Sequence, residues 1–341
     1  MRAQVLRQYG EPLVAETVPD PVPGPGDVVV RVRASGICGT DLKITSGKLP
    51  HVIRLPHVPG HEIAGEIAAV GSAVRDLSPG ARGIVYHYLP CRDCPACRTG
   101  RENVCHAIVR LGFELPGGFA EYVKVPAYNF CRCEADLSLD ALAILPDAVL
   151  TAYHSVTSCG DLRGGQRILV LGAGGLGLHA VQVARLLGGA VAVADARPEA
   201  LEAARSLGAD RLVNSAAEDV VAAVMEWTHG DKVDVVLEGT GSAQLFQGGL
   251  EVLAPGGRLV IMGYDPLSPY PLKSMAMHYN EWTIAGSRLG TKQELLEVLD
   301  LVTRGRIRPV VGRTLPFDQV NRGLAEVRSG AVVGRVVLSM A

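Results

Sequence analysis

The stretch RILVLGAGGLGLHAVQVARLLGGAVAVAD, residues 167–195, decides the fold of this chain. It begins with a short apolar run that is typical of a buried strand, and a glycine-rich turn follows at once. Apolar residues at helical spacing then predict a helix from Leu176 to Leu187, and Ala190–Ala194 has the pattern of a second strand that ends at Asp195. The stretch therefore predicts one strand–helix–strand unit of a parallel sheet.

The turn after the first strand has the spacing G-x-G-x-x-G. Its residues are Gly172, Ala173, Gly174, Gly175, Leu176 and Gly177. Glycines at these positions let the turn tighten and let the backbone approach a pyrophosphate at the N-terminus of the helix. The alternative is a glycine turn that is needed only for packing.

Asp195 strengthens the interpretation as a dinucleotide site. It follows Gly177 by 18 residues, where a carboxylate would bond the ribose hydroxyls and repel a 2′-phosphate. This position predicts NAD as the cofactor. Arg197 either softens the preference against NADP or is a solvated residue at the start of the next helix.

Strands and helices continue to alternate along the chain after this unit. Helices are predicted at Pro198–Leu207, Ala216–Trp227 and Ser242–Leu253, and strands at Val233–Leu237, Arg258–Met262 and Thr283–Ala285. This alternation specifies a parallel sheet that helices cover on both faces. We therefore expect a doubly wound α/β cofactor domain of the Rossmann type over residues 151–287.

The flanking segments have a different texture. Residues 1–150 contain short β-type runs separated by Pro and Gly, such as Asp27–Val32 and Glu121–Val125, and predict a β-rich domain. After a predicted helix at Lys292–Arg304, a β-type tail ends the chain. We expect residues 288–341 to rejoin the first domain.

Composition limits the classes of function. The chain has 341 residues, 48% of them hydrophobic, with a net charge of -2 and no long block of one sign, which argues against nucleic acid as a partner. No apolar run reaches the roughly 18 residues that a membrane span needs, and the first residues do not have the pattern of a signal peptide. We expect a soluble, cytoplasmic protein with no membrane partner.

Four of the eight cysteines are bunched within fifteen residues. They are Cys91, Cys94, Cys97 and Cys105. Four thiolates at this spacing can close a tetrahedral zinc site with no open position, so the predicted role is structural. The alternative, four buried free thiols, would be a crowded coincidence.

Cys38 and His61 are two further candidate ligands. A thiolate and an imidazole are two of the three protein ligands that an open catalytic zinc site requires, although a single Cys or His is more often structural. The pattern G-H-E-x2-G-x5-G-x2-V, which begins at Gly60, favours the metal site when it is taken with the other motifs.

With these motifs in place, the sequence resembles the zinc-dependent alcohol dehydrogenases of the medium-chain dehydrogenase/reductase superfamily over essentially the whole chain. The resemblance rests on the GHE signature, the Cys-Gly-Thr-Asp segment at 38–41, the four-cysteine loop, the glycine turn and Ala285–Ser287. It implies a GroES-like first domain, NAD, and two zinc ions per chain, one catalytic and one structural. It also implies a homodimer or homotetramer built through the edge strand of the cofactor sheet, here Trp282–Gly286.

The resemblance also implies roles for single residues. Cys38 and His61 would be ligands of the catalytic zinc, and Glu62 would be a nearby carboxylate that can displace water from the metal. Thr40 would pass the alcohol proton outward, and Asp41 would orient His61. The alternatives are a turn hydroxyl for Thr40 and a helix N-cap for Asp41.

Lys43 marks a departure from the family. Many relatives carry a histidine three residues after the hydroxyl that corresponds to Thr40, and this histidine releases the proton. The resemblance therefore assigns no residue to the last step of the proton relay in this chain. An unperturbed lysine titrates far above neutrality, which favours a solvated Lys43 over a base.

The third catalytic ligand lies, in relatives, at the start of the helix that leads toward the glycine turn, and Asp147 is the match here. The charge of the site supports this assignment, because the Cys38 thiolate and the Asp147 carboxylate would cancel Zn²⁺ while His61 stays neutral. The alternative is that Asp147 only caps the helix and that Glu62 or Cys159 completes the site.

One segment of the sequence is a candidate for the substrate pocket. Tyr86–Leu89 corresponds to a segment that lines the pocket in relatives, so His87 is a candidate for substrate contact, with packing as the alternative. Other histidines and thiols have no motif around them and are interpreted as structural: His51, His57, His154, Cys131, Cys133 and Cys159.

The expected reaction is the reversible oxidation of a primary or secondary alcohol, or a polyol, by NAD to the aldehyde or ketone. One alternative is a zinc-dependent reductase of the same superfamily that acts on a conjugated or thioester-linked substrate. Another is a zinc-binding interaction module, which would explain neither the glycine turn nor Cys38 and His61. The expected partners are a small-molecule substrate and further copies of the chain.

Overall fold

The computed structural model describes residues 1–49, 52–267 and 269–340, and the chain divides into two compact units. The first contains Met1–Asp147, Thr291–Arg304 and the chain from Pro309 onward, and the second contains Ala148–Gly290 and Gly305–Arg308. The chain therefore leaves the first unit three residues earlier than the sequence predicts, and a short segment near residue 306 belongs to the second unit.

The elements are numbered in chain order. The strands are β1 (Arg2–Val5), β2 (Val14–Thr17), β3 (Asp27–Ile37), β4 (Glu62–Val70), β5 (Arg82–Val85), β6 (Tyr88–Leu89), β7 (Val109–Arg110), β8 (Tyr122–Pro126), β9 (Phe130–Arg132), β10 (Arg167–Leu171), β11 (Ala190–Asp195), β12 (Arg211–Asn214), β13 (Val233–Glu238), β14 (Leu253–Ile261), β15 (Thr283–Gly286), β16 (Val311–Pro316) and β17 (Arg335–Ser339). The α-helices are α1 (Gly39–Thr45), α2 (Pro95–Arg98), α3 (Leu139–Ala143), α4 (Leu150–His154), α5 (Gly177–Leu186), α6 (Pro198–Ser206), α7 (Val220–Trp227), α8 (Ala243–Glu251), α9 (Ser274–Asn280), α10 (Lys292–Thr303) and α11 (Val320–Ser329).

The first unit is built around a mixed sheet with the order β16-β17-β3-β4-β5-β9, in which β8 also pairs with β3. Its longest strand, β3, pairs with β4 on one side and with the C-terminal strand β17 on the other, with Val336 opposite Ile37. Valines that alternate along β3 pack with Ile63 and Ile67 of β4 in a buried cluster. This period-two burial is the reason that the segment forms a strand with one face in the core.

The second unit is a parallel sheet with the order β12-β11-β10-β13-β14-β15. Its central strands are almost continuously apolar and buried, as expected when helices cover both faces. Phe246 and Leu250 of α8 pack against Leu169, Leu171 and Val236 of the sheet. The predicted Rossmann-type fold is confirmed.

Helix boundaries differ from the predictions where a capping side chain decides them. Asp219 accepts a hydrogen bond from the backbone N–H of Ala222, so α7 begins at Val220 and not at Ala216. Ser242 caps α8 in the same way, and α8 ends early enough for Leu253 to start β14. The prediction of a helix through Leu253 was therefore wrong at its C-terminal end.

The start of α10 is tied to the four-cysteine loop. The Glu102 carboxylate accepts a hydrogen bond from the backbone N–H of Lys292 at 2.8 Å. The Lys292 ammonium also lies 3.9 Å from the centre of the Tyr128 ring. In this way the first turn after the chain re-enters the first unit is held by residues far away in sequence.

Among the described residues, no helix is both long and apolar enough to cross a membrane.

Candidate active site and metal centres

The glycine turn after β10 is built as its sequence predicts. Gly172 has a φ of 95°, in the left-handed region that favours glycine. Gly177 lies so close to it that a Cβ there would be 1.9 Å from the carbonyl oxygen of Gly172. Gly174, in contrast, has nothing within 4 Å of a Cβ position, so the turn leaves open space in front of it.

Helix α5 begins at this turn with an N-terminus that no side chain caps. Leu176 is the N-cap residue and offers no hydrogen-bond acceptor. The free backbone N–H groups and the positive end of the helix dipole form an anion site. Gly175 supports the turn, because its carbonyl oxygen accepts a hydrogen bond from the Nδ1 atom of buried His179 at 2.6 Å.

Asp195 ends β11 and faces the same turn. One oxygen accepts a hydrogen bond from the backbone N–H of Ala173 at 2.8 Å, and the other pairs with the Nε atom of Arg197 at 3.1 Å. Burial opposes ionisation, but the hydrogen bonds from Arg197 and Ala173 lower the pKa of Asp195. Arg197 is thus an ion-pair partner of the acid and not a freely solvated residue.

The four-cysteine loop brings its sulfur atoms together. Cys94 and Cys97 have their Sγ atoms 3.5 Å apart, Cys91 and Cys105 also 3.5 Å, and Cys91 and Cys97 3.9 Å. Zn–S bonds of about 2.3 Å at tetrahedral angles would place sulfurs about 3.8 Å apart. No disulfide joins any of these thiols in the described chain, and the four sulfurs fit a closed zinc site.

Cys38 stands at the N-terminus of α1. It is the N-cap residue, and its Sγ atom accepts a hydrogen bond from the backbone N–H of Thr40 at 3.5 Å. Asp41 completes the cap, because its Oδ2 atom accepts a hydrogen bond from the Cys38 N–H at 2.9 Å. The helix start therefore fixes Cys38 and points a backbone donor at its sulfur.

His61 lies between two carboxylates. Its Nδ1 atom is 3.4 Å from Oδ1 of Asp41, and its Nε2 atom is 3.6 Å from Oδ2 of Asp147. Gly60 makes this placement possible, since its φ is 94° and a Cβ there would lie 2.5 Å from the Phe119 ring. Burial alone would lower the pKa of His61, but Asp41 and Asp147 raise it well above its ordinary value.

Asp147 occupies a π-helical turn, Leu145–Val149, that leads into α4. Such single π turns often occur where a side chain is turned toward a functional site. The candidate ligand atoms of Cys38, His61 and Asp147 lie within 4.8 Å of one another. Cys159 lies in the second unit, where its thiol donates a hydrogen bond to the carbonyl oxygen of Gly286.

Arg335 is a member of this cluster that sequence reasoning missed. Its Nε atom lies 2.8 Å from Oε1 of Glu62, and a terminal nitrogen lies 2.9 Å from Oδ2 of Asp147 and 3.5 Å from Sγ of Cys38. Glu62 is fully buried, and burial raises its pKa to about 8 although the Arg335 guanidinium lowers it. The guanidinium thus fixes two acids and the thiol.

Gly36 leaves the room that the Glu62 carboxylate needs. The two residues lie opposite each other on β3 and β4. A Cβ on Gly36 would lie 1.8 Å from Oε2 of Glu62. The glycine before the Cys-Gly-Thr-Asp segment is therefore a requirement of the buried acid.

The donor set of Cys38, His61 and Asp147 fits zinc. Three buried atoms at the cluster have no hydrogen-bond partner: Oδ1 of Asp41, Nδ1 of His61 and Oε2 of Glu62. The carboxylates of Glu62 and Asp147 and the Cys38 thiol surround Arg335, and the Asp41 carboxylate lies beside His61. A thiolate, an imidazole and a carboxylate are ordinary ligands of zinc in open sites, so these residues fit the metal.

The remaining candidate residues are not among the clustered ligand atoms. Thr40 and Lys43 are half-buried on α1. His87 is buried, with its ring centre 5.2 Å from that of His61 and no hydrogen-bond partner for Nδ1. Burial lowers the pKa of His87 well below its ordinary value, so the ring is neutral. His57 bonds the Gly112 carbonyl, and His51 lies outside the described residues.

Comparison with known proteins agrees with both halves of this description. Residues 24–135 match the family described as alcohol dehydrogenase GroES-like domain, and residues 175–304 match the zinc-binding dehydrogenase family. The NAD-dependent alcohol dehydrogenase of Sulfurisphaera tokodaii is 33% identical over 99% of this chain and 99% of its own. The acryloyl-coenzyme A reductase of Metallosphaera sedula is 32% identical over 99% of this chain and 100% of its own.

A solved structure shows the same relation in three dimensions. The alcohol dehydrogenase of Aeropyrum pernix is 32% identical and matches this chain with a TM-score of 0.94 over 100% of both chains. The predictions of a GroES-like first domain and of a zinc-dependent oxidoreductase are therefore confirmed. By its sequence matches, its fold and its clustered candidate ligands, the chain belongs to the zinc-dependent alcohol dehydrogenases of the medium-chain dehydrogenase/reductase superfamily.

Proposed function

We propose that the protein oxidises a primary or secondary alcohol, or a polyol, to the aldehyde or ketone with NAD, in a reversible reaction. The observation that carries this proposal is the convergence of Cys38, His61 and Asp147 within 4.8 Å, beside the buried Glu62–Arg335 pair. Three protein ligands of this kind leave one position of a tetrahedral zinc open for substrate.

Cys38, His61 and Asp147 would hold the catalytic zinc, and Cys91, Cys94, Cys97 and Cys105 the structural one. When bound at the first site, zinc supplies Lewis acidity that lowers the pKa of the substrate hydroxyl. NAD, when bound, accepts the hydride from the alcohol carbon. The proton of the hydroxyl leaves separately, so carbonyl product, NADH and one proton balance the reaction.

The residues of the chain prepare and complete these steps. Oδ1 of Asp41 lies 3.4 Å from Nδ1 of His61, where its charge favours the tautomer that carries the proton on Nδ1 and leaves Nε2 free for the metal. The Thr40 hydroxyl, in the same helix turn as Cys38, takes the alcohol proton and passes it outward. Arg335 holds Glu62 beside the candidate ligands, where this carboxylate could displace water from the metal.

The cofactor is held by the second unit. The N-terminus of α5, with Gly172, Gly174, Gly175, Leu176 and Gly177, receives the pyrophosphate. Asp195 bonds the ribose hydroxyls, and Arg197 holds the carboxylate in place. We expect NAD to be preferred over NADP by roughly 10-fold or more in kcat/KM, about 1.4 kcal/mol.

The test combines metal analysis with a screen of alcohols and polyols, in which NADH formation is followed at alkaline pH. Cys38→Ser should abolish turnover and leave a folded chain that retains the structural zinc, whereas Cys97→Ser should mainly lower stability. Asp195→Ala should reduce the ratio of kcat/KM with NAD to kcat/KM with NADP. Near-normal turnover of Cys38→Ser, or equal kcat/KM for NAD and NADP in the unmodified enzyme, would contradict the assignments.

A reductase that acts on a conjugated thioester is the second candidate. It is favoured by the similarity to the acryloyl-coenzyme A reductase of Metallosphaera sedula, which covers essentially both chains. An assay with an enoyl thioester and NADH or NADPH separates the two reactions. Faster turnover of the thioester than of any alcohol would replace the dehydrogenase proposal.

A homodimer or homotetramer, formed through the edge of the cofactor sheet, is proposed as the assembly. Among the described strands, β15 pairs only with β14, and the apolar side chains of Leu272, Met275 and Tyr279, which precede it in the sequence, are exposed. An edge strand beside apolar surface invites pairing with a second copy. Analytical ultracentrifugation of the chain and of Met275→Glu tests this, and a monomeric unmodified chain would contradict it.

The cytoplasm is the proposed location. The eight cysteines are free thiols in the structure, and such thiols persist in reducing compartments. Fluorescent tagging of the expressed chain tests the location, and a signal outside the cytoplasm would contradict it.

A further inference from the structure

Glu238 is a buried carboxylate beside the glycine turn that no motif singled out. It ends β13, where it lies opposite Leu171, the residue before Gly172. It is fully buried. Its partners in the structure are hydrogen-bond donors rather than cations. A buried acid of this kind is costly unless each oxygen is satisfied.

The donors come from two different loops. Oε1 accepts hydrogen bonds from the N–H and the hydroxyl of Thr240, with 2.8 Å to the nitrogen, and from the Gly241 N–H at 3.0 Å. Oε2 accepts a hydrogen bond from the Tyr270 hydroxyl at 2.7 Å. Glu238 thus joins the β13 loop, residues 239–241, to the β14 loop, residues 262–267 and 269–273.

Packing continues these bonds in both directions. The Tyr270 ring stacks on Phe246 of α8, with ring centres 4.3 Å apart and planes 9° apart. A Cβ added to Gly172 would lie 3.0 Å from the methyl group of Thr240, so the two residues are close neighbours. A continuous set of contacts therefore runs from the β14 loop through Glu238 to the first glycine of the turn.

The place of this network in the sheet suggests what it serves. In the order β12-β11-β10-β13-β14-β15, the direction of strand succession reverses between β10 and β13. Dinucleotides bind across the carboxyl ends of the strands at such a switch point. Asp195 lies on the β11 side, which is the AMP side, so the nicotinamide half belongs over β13 and β14.

We propose that Glu238 and Tyr270 form a latch that holds the β13 and β14 loops in the arrangement that binds the nicotinamide half of the cofactor. This proposal rests on the proposed use of NAD. Both are positioning residues, because they act through the loops that they join. The Tyr270 hydroxyl is the part of the latch that can be removed with least disturbance, since its ring stays on Phe246.

Tyr270→Phe tests the latch through binding rather than turnover. We expect the Kd for NADH, measured by fluorescence titration, to rise roughly 5- to 10-fold, because a hydrogen bond to a buried charged group is lost. The Kd for AMP, measured by calorimetry, should change less than about twofold, since its site lies over β11. Tyr122→Phe is the matched control, because Tyr122 lies on β8 of the first unit and takes no part in the latch.

A second variant tests the latch from its other residue, so the proposal does not depend on Tyr270→Phe alone. Glu238→Gln should weaken NADH binding as well. The double variant Glu238→Gln/Tyr270→Phe should bind NADH no more weakly than Glu238→Gln alone, because the two residues act as one unit. Amide hydrogen exchange in the β14 loop should become faster in each variant with no change in β11.

The outcomes separate the latch from the cofactor assignment. Unchanged NADH binding in Tyr270→Phe, or an equal loss for NADH and AMP, would overturn the latch while the NAD assignment stands. No NADH binding by the unmodified chain would overturn both. Selective loss of NADH affinity, with AMP affinity retained, would support the latch.

Discussion

At Asp147, a single carboxylate faces both the imidazole of His61 and the guanidinium of Arg335. Burial alone would raise its pKa, but His61 and Arg335 hold that pKa well below the ordinary range. Asp147 is therefore ionised at any working pH, as a zinc ligand must be. Its charge also complements Arg335 whether or not a metal is present.

We expect Asp147→Ala to lower the zinc content from about two ions per chain toward one and to remove activity. Asp147→Cys keeps the negative charge and a zinc-binding atom, so it should retain both ions. Metal analysis after gel filtration measures this. If Asp147→Ala kept both zincs and most of its turnover, the third ligand would have to be sought at Glu62 or Cys159.

Arg335 gives the second prediction at this scale. Arg335→Met leaves the buried Glu62 and Asp147 without their shared cation, so we expect a loss of about 3 kcal/mol or more in the free energy of unfolding. Adding Glu62→Gln should recover part of the loss, since an amide is less costly to bury than a carboxyl group that has lost its Arg335 partner. Thermal unfolding measures both effects.

The control for Arg335 is an arginine in an exposed ion pair. Arg322 lies 3.0 Å from Glu326, with its side chain 55% exposed. Such pairs contribute little, so Arg322→Met should change stability by less than about 1 kcal/mol. Equal losses in the two variants would show that the buried cluster has no special need of Arg335.

The contrast between Cys38 and Arg335 shows what sequence can say about single residues. Metal ligands are predictable because their chemistry and spacing are constrained, as in the four-cysteine loop. Arg335 meets Cys38 across 297 residues of sequence and belongs to no motif. The one available signal was a charged residue at the head of an otherwise apolar strand, and the sequence does not say which acid it would meet.

At the scale of elements, the start of α10 shows how a distant side chain supports a helix. Glu102, beside the last cysteine of the four-cysteine loop, accepts the N–H of Lys292 and lies at the positive end of the helix dipole. Glu102→Ala should therefore destabilise both the loop and the start of α10 and lower the free energy of unfolding by about 1 kcal/mol. We expect faster transfer of the structural zinc to a colorimetric chelator and a lower melting temperature.

Glu297 provides the matched control on the same helix. It is half-buried, and its carboxylate accepts a hydrogen bond from the side chain of Gln293. Glu297→Ala should leave the rate of zinc transfer unchanged. A rate for Glu102→Ala equal to that of Glu297→Ala would mean that the hydrogen bond to α10 does not stabilise the loop.

Elements of the second unit were predictable to the extent that local periodicity decides them. The strands β10 and β11 and the helix α5 follow from apolar runs and glycines within one short stretch. The start of α7 does not, because apolar residues continue on both sides of it and only the Asp219 cap decides the boundary. Caps compete with periodicity at such ends, and the cap determines the boundary.

At the scale of the whole molecule, the sheet of the first unit depends on pairing between its distant ends. Strand β17 lies between β16 and β3, so the last strand of the chain completes a sheet that the first strands begin. A β-type tail predicts a strand but not its neighbour, because pairing over about 300 residues is a property of the folded chain and leaves no local pattern. The return of the tail to the first domain could therefore be expected from its β-type pattern, but the linear sequence could not establish it.

Buried neutral histidines make the stability of this first unit depend on pH. Burial lowers the pKa of His57, whose Nε2 atom lies 3.0 Å from the carbonyl oxygen of Gly112, and burial also lowers the pKa of His87. In the unfolded chain, histidines bind protons below about pH 6.5. Since the unfolded state then holds more protons, stability is fully present above that pH and is lost as the pH falls.

We expect the melting temperature to drop between about pH 7.5 and about pH 5.5, with each buried histidine contributing at most about 1.4 kcal/mol per pH unit. His57→Gln keeps a donor for Gly112 but cannot titrate, so its melting temperature should fall less over the same range. His229→Gln is the control, because His229 is exposed and lies in the turn after α7. A pH dependence of His57→Gln as steep as that of the unmodified chain would mean that His57 takes up its proton equally in the folded and unfolded states, and the acid sensitivity would then have to come from His87 or from the metal ligands.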